Sequence, residues 1–209
     1  MLSIFDNIIA IMIAGVVILL LFTIQQRSTD FNIEQNSVYS SKKFSLDFAE
    51  WLEGDFSLAG TNMDNGDILF SNLVYEGINT KEITFFRDTL NIDPVTFNVD
   101  SVRVETRYTL DSSKVLTLPD TTIQLYEVTR YMREELAGGG FSAWNEVGKG
   151  PEWVSYFRVN TLNDQGQTVL LEPQTAFFDI AFTLALPNFS STAYLREFNW
   201  ATTVNIRRY

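Results

Sequence analysis

Hydrophobic and polar positions divide this chain into three textures. The first is "IIAIMIAGVVILLLFTI", from Ile8 to Ile24, where no charged residue interrupts the apolar run. Roughly 17 to 20 apolar residues at about 1.5 Å each just cross a hydrocarbon core of roughly 30 Å, so the pattern predicts a transmembrane helix. A signal peptide is the other reading of such a run, but no basic residue precedes it and no small-residue cleavage site closes it. The second texture is periodic: Phe44, Phe48, Trp51 or Leu52, Phe56 and Ala59 recur at spacings of three and four, with no proline before Pro94. That is the period of an amphipathic helix. The stretch from about Gln25 to Ser41 is more polar, with Phe31 and Val38 as its main large apolar groups, and reads as a partly covered helix or connector. Gly60 and the polar "TNMDNGD" end the helix, as a glycine past the last periodic residue commonly does.

Beyond this point short β-branched and aromatic runs alternate with turn residues: "EITFFRD", "SVRVETRYTLD", "TIQLYEVTRY", "EWVSYFRVNTL", "TVLLE", "TAFFDIAFTLALP" and "FNWATTVNIRRY". These predict strands. Val102, Val104, Thr106 and Tyr108 alternate with Arg103, Glu105 and Arg107, which implies one buried and one wet face. "NDQG" reads as a hairpin turn and the glycine-rich "LAGGGFSAWNEVGKGPEW" as a surface loop. The expected fold is therefore α+β, a long N-terminal helix with an apolar first half packed on a mostly antiparallel sheet. Its expected parts are an apolar helix at 1–27, an amphipathic continuation at 28–60 and a β-rich globular domain at 61–209.

Composition removes most enzymatic chemistry. There is no histidine and no cysteine, so the usual general base and metal ligand near neutral pH, any thiolate nucleophile and any disulfide are absent. Ser41 beside Lys42 and Lys43, and Ser113 beside Lys114, are neighbours in sequence only and read as surface charge. No catalytic constellation or cofactor is expected. A net charge of −11 without a basic cluster argues against nucleic acid as a partner. Asp64, Asn65 and Asp67 supply oxygen ligands in one turn, weak candidates for a metal, but the EF-hand glutamate is missing and a solvated turn is the plainer reading. "NFS" at Asn188 to Ser190 is a glycosylation sequon, a pattern that often arises by chance.

A long helix, apolar in front and amphipathic behind, followed by an antiparallel sheet resembles type IV pilins and the pseudopilins of type II secretion. "FSLDFAEWLEGDFSLAG" resembles the end of the first helix in PilW-type minor pilins, where Asp55, Phe56, Ala59 and Gly60 hold the places of an Asp-Leu-x-x-Ala-Gly motif. "KEITFFRDTL", "VRVETRYTLD", "QLYEVTRY", "VSYFRVNTLNDQGQ" and "FNWATTVNIRR" resemble the same family's strands in order. The resemblance implies a filament subunit that polymerises through its N-terminal helix. Its carboxylate, Asp6, would pair with the α-amine of Met1 of an adjacent copy. Ile8, Ile9, Ile11, Ile13, Val16, Val17, Leu20 and Leu21 would pack the filament core, and Gly15 would let the helix loosen during assembly. Without the resemblance, Asp6 reads as an N-terminal cap and Gly15 as a close helix contact or ordinary tolerance.

The family's signal is a short basic leader ending in glycine and a glutamate five residues into the mature chain; here the acid is Asp6 and no leader is visible. Arg27, Lys42 and Lys43 all follow the span, so the positive-inside rule taken literally places the domain in the cytoplasm. A removed basic leader reverses that, and residues upstream of Met1 are expected. The implied partners are identical or homologous pilin subunits, an inner-membrane assembly machinery and, where a leader exists, a prepilin peptidase that leaves a methylated N-terminus. The implied location is the inner membrane before assembly and the cell surface afterwards. The alternative is a single-pass, membrane-anchored β-domain serving as scaffold or accessory subunit of an envelope complex.

Overall fold

The computed structural model describes residues 2–64, 67–92, 99–170, 175–187 and 195–206. Helix α1 runs unbroken from Leu2 to Ser57, about 84 Å at 1.5 Å per residue. It closes in tight turns, with the amides of Leu58 and Ala59 bonding the carbonyls of Asp55 and Phe56 at 3.1 and 3.2 Å. Gly60 then takes a left-handed φ of 75° that favours glycine, and its amide donates to the Phe86 carbonyl at 2.9 Å. The glycine at the helix end thus turns the chain directly onto the sheet.

Eight strands follow: β1 (Phe70–Glu76), β2 (Asn79–Ile92), β3 (Val99–Thr117), β4 (Thr122–Glu134), β5 (Asn145–Lys149), β6 (Val154–Leu162), β7 (Phe177–Pro187) and β8 (Leu195–Asn205). All pairings are antiparallel, in the order β1-β2-β3-β4-β6-β7-β8 with β5 on the side of β4. The architecture is therefore α+β, as the sequence pattern predicts. The β4–β6 join is narrow, with Tyr126 opposite Val154, and the β1–β2 hairpin reinforces it from across the sheet. Thr80 Oγ1 accepts from the Val159 amide at 2.9 Å, Asn79 Oδ1 from the Phe157 amide at 3.1 Å, and Tyr75 donates to the Val159 carbonyl at 3.1 Å. Because β3 and β4 lie between β2 and β6 in sheet order, these bonds require the sheet to curl around the helix end.

Helix residues Phe48, Ala49, Leu52 and Phe56, with Ala59 of the closing turn, fill that curl, each 4 % exposed or less. Phe56 sits 4.8, 5.6 and 5.2 Å from the rings of Phe85, Tyr108 and Phe178, spacings at which aromatic pairs attract beyond their burial. Phe44, expected to begin the buried stripe, is 64 % exposed instead; the register turns Ser45 inward, and Phe44 lies one residue off the covered face.

Three strand expectations need correction. The outer face of β3 is not wet: Glu105 is buried, and Arg103 and Arg107 are half-buried, because Phe141 and Trp144 fold over it. The Arg107 guanidinium lies 4.9 Å from the Tyr131 ring and 4.1 Å from Trp144, and that of Arg133 lies 4.3 Å from Trp144 and 4.7 Å from Phe141. The aromatics therefore come from the segment expected to be a plain loop, which also supplies β5. Finally, "NDQG" does turn, with Gly166 at φ 74° and Asn163 bonded to Gln167 at 2.9 Å, but the described part of "TVLLE", 168–170, forms no named strand: it pairs Thr168 with Leu162 in an isolated bridge and donates from the Val169 amide to the Thr161 carbonyl at 2.8 Å. The extended partner of β6 is β7.

Candidate assembly helix and its anchorage

From Ile4 through Ile33 every helix residue is exposed. The apolar part is long enough to cross a membrane, and none of it is buried within the chain. Ile8, Ile9, Ile11, Ile13, Val16, Val17, Leu20 and Leu21 are 47 to 71 % exposed, but so are Ile18, Leu19 and Phe22, so the apolar surface runs all the way round. A helix apolar on every side requires a non-aqueous environment or other helices. A candidate membrane-spanning helix is thus a feature of the fold, and it is consistent with membrane anchoring.

Asp6 lies in the second turn of a helix that begins at Leu2 and is exposed; it is therefore not a cap. Helix α1 passes through Gly15 without interruption, and a Cβ built there meets nothing within 4 Å, so no close contact within this chain requires glycine. Met1 and Asn65 lie outside the described residues, as does the Asn188–Ser190 sequon. Asp64 is exposed, while the Asp67 carboxylate engages Arg103, which also binds Asp88 at 3.0 Å. Among the described residues no group of three such ligands gathers in a metal-binding arrangement. Of the Ser–Lys neighbours, the Ser41 hydroxyl donates to the Ser37 carbonyl at 2.7 Å, and Lys114 pairs with Glu152.

The helix is held to the sheet at two levels. Glu34 pairs with Arg196 of β8 where the rod meets the domain. Deeper, Asp55 accepts from the Tyr108 hydroxyl of β3 and from Arg130 Nη2 of β4 at 2.6 Å. Asp55 lies well past the apolar run, inside the domain. Burial pushes its carboxyl up from the usual value, against the opposing pull of the Tyr108 hydroxyl and of the Arg130 and Arg87 guanidinium groups. The Tyr108 phenol is pushed well above its usual value, first by burial and then by the Asp55 charge. This places Asp55, Phe56, Ala59 and Gly60 together at the anchor: a buried acid, two fully buried apolar groups and a left-handed glycine. The Tyr108–Asp55–Arg130 cluster and its two strand partners are not visible in the local sequence; only an acid on an otherwise apolar helix face hinted at it.

Between anchor and rod, one side of α1 and the β5–β6 turn enclose an open groove of about 840 Å³, with Phe44, Trp153, Leu184 and Leu186 among its walls. Gly150 makes the turn fit: a Cβ there would stand 2.7 Å from the Phe48 ring and 3.2 Å from the Val128 carbonyl.

The fold and this helix define an α+β protein with an N-terminal helix long and apolar enough to span a membrane. Comparison with protein-family models, with curated proteins and with solved structures gave no match for this chain.

Proposed function

We propose that this chain is a structural subunit of a type IV pilus-like or pseudopilus filament, polymerising through its N-terminal helix, and not an enzyme. One observation carries the reading: a single unbroken helix projects from the domain, its run from Ile8 to Ile24 apolar on every side, with one carboxylate, Asp6, near its outer end. A lone acid at the edge of hydrocarbon costs less near the interface than the roughly 2.5 kcal/mol or more of a helix centre, and a neighbouring cation would offset it. The α-amine of Met1 on an adjacent copy is that cation in this reading. The resemblance of the helix end and strand order to PilW-type minor pilins supports the same conclusion. Its partners are then copies or homologues of this chain, the inner-membrane machinery that assembles them and, where a leader exists, a prepilin peptidase, and its path leads from the inner membrane to the cell surface.

Asp6→Ala and Asp6→Lys test it in the cells that make the protein. Both variants should enter the membrane in normal amounts and be lost from sheared filaments. Unchanged incorporation would sink the filament reading and leave a membrane-anchored β-domain acting as a scaffold in an envelope complex.

A further inference from the structure

The strand edges of this sheet are not alike. Beyond its narrow join with β4, β6 is capped by side chains: Thr80 and Asn79 accept from its Val159 and Phe157 amides, and Tyr75 donates to the Val159 carbonyl. The edge of β1 is seven residues long and broken by two register shifts, a device that blunts strand-on-strand pairing. Strand β8 has neither protection. Its 11 residues pair with β7 in unbroken register and contain no lysine and no proline. Just past the strand, the Ile206 amide donates to the Ala176 carbonyl at 3.0 Å. Alternation from that bond turns the backbone groups of Trp200, Thr202 and Val204 toward β7, and those of Asn199, Ala201 and Thr203 to the free edge. Among the described residues, no hydrogen bond reaches those outward backbone groups. The side chains of Asn199, Ala201 and Thr203 are exposed on one face, while Phe198 and Trp200, on the other, are half-buried against the core.

Direction limits what can pair there. Strand β8 runs the same way as α1. Arg196 meets Glu34; Trp200 lies 5.1 Å from Phe182, itself 4.9 Å from Phe48; and Val204 stands opposite Phe178, 5.2 Å from Phe56. Antiparallel pairing with β8 of a second copy would therefore point two apolar rods in opposite directions, which neither one membrane nor a filament of aligned helices allows. Strand β1 lies an even number of antiparallel joins from β8, so it too runs with α1. A neighbour with an aligned rod could offer its β1 only in parallel, across two register shifts.

We propose that the β8 edge receives an extended segment of a different polypeptide, added antiparallel to β8 and held through main-chain hydrogen bonds. The segment is about 5 or 6 residues long, free of proline and alternating. Its apolar side chains stand beside Phe198 and Trp200, and its threonine, serine or asparagine side chains beside Asn199, Ala201 and Thr203. The proposal goes beyond the filament reading and does not depend on it, since a membrane-anchored scaffold would present the same edge.

The test uses the full chain in the cells that make it. Benzoylphenylalanine in place of Thr203 is photolysed in intact cells, and amide hydrogen exchange of the unsubstituted chain is compared between native membranes and detergent. The expected adduct joins this chain to a different polypeptide and maps to an extended, alternating segment. Amides at 199, 201 and 203 should exchange fast in detergent and slowly in native membranes. The adduct should fall several-fold with Ala201→Pro, which removes an outward N–H and none of the bonds to β7, and persist with Ala201→Val. Asn199→Pro repeats the test at a second outward position where Ala201→Pro lowers the melting temperature. Absence of an adduct, an adduct to a second copy of this chain, an adduct indifferent to both prolines, or amides that exchange alike in both settings overturns the proposal. Normal assembly of Asp6→Ala bears on the filament reading alone.

Discussion

Asp55→Ala should detach the end of the helix from the sheet. In the native chain Arg130 Nη2 stands 2.6 Å from Asp55 Oδ1, with side-chain exposures of 17 and 10 %, and Tyr108, fully buried, donates to the other carboxylate oxygen. Removing the acid takes away the carboxylate on which both the Arg130 and the Arg87 guanidinium groups act. Breaking a buried pair from one side costs about 3–5 kcal/mol, and orphaning the phenol adds to it within the same network, so the two terms do not sum. A loss of about 3–5 kcal/mol is a large share of a typical total stability of about 5–15 kcal/mol. At about 2–4 °C per kcal/mol for a domain of this size, the melting temperature should fall by about 6–20 °C. The assay is thermal and urea unfolding of the full chain in detergent. Trp51, 5.6 Å from the Arg130 guanidinium, serves as the local fluorophore. Asp55→Asn keeps an acceptor for Tyr108 and isolates the ionic part. Replacing the pair together, Asp55→Leu with Arg130→Met, should recover much of the loss. An Asp55→Ala change within about 0.5 kcal/mol of the parent, the range of ordinary surface substitutions, would refute the anchor.

Two further predictions use neighbouring groups. Tyr108 has its pKa raised in the fold, so its contribution is fully present below the unfolded value of about 10 and is lost as pH rises through the folded value. Urea midpoints should therefore fall more steeply above about pH 10 for the parent than for Tyr108→Phe; equal slopes would count against the assignment. Gly150→Ala pushes a methyl group against Phe48 and should cost about 1–3 kcal/mol, whereas Gly15→Ala meets nothing and should leave domain unfolding unchanged, adding helix propensity of about 1 kcal/mol locally. Circular-dichroism melts of the two variants side by side make the comparison.

The helix and the strands were legible because their signals are local. An apolar run without charge, a period of three to four without proline, and β-branched runs between turn residues each act over a few positions. Two features misled for the same reason. The polar face of β3 reads as wet because alternation says nothing of what lies across the sheet, and its cover, Trp144, is 37 positions beyond Arg107 in a glycine-rich stretch that itself reads as loop. Phe44 fits the apolar period, yet the covered face is set by which flank of the helix meets the curl, and that flank admits Ser45.

The anchor was legible only in part, and the missing part is physical. Asp55 on an apolar helix face shows that an acid must be compensated, because an ionised carboxylate inside a fold needs a cation or several donors. Nothing local identifies them: Tyr108 and Arg130 are 53 and 75 positions away and sit on inward-facing sites of two strands, where an arginine looks like an interruption of the pattern. Once the register places Tyr108 opposite Arg130, the three groups explain one another. The arginine is tolerated inward because the helix brings an acid to it, and the acid is tolerated because it arrives at the last turns of α1, where the chain must be fixed before Gly60 turns it onto β2. A rod that transmits load from its apolar end to the domain would bear on this cluster, which ties the helix to two central strands at once.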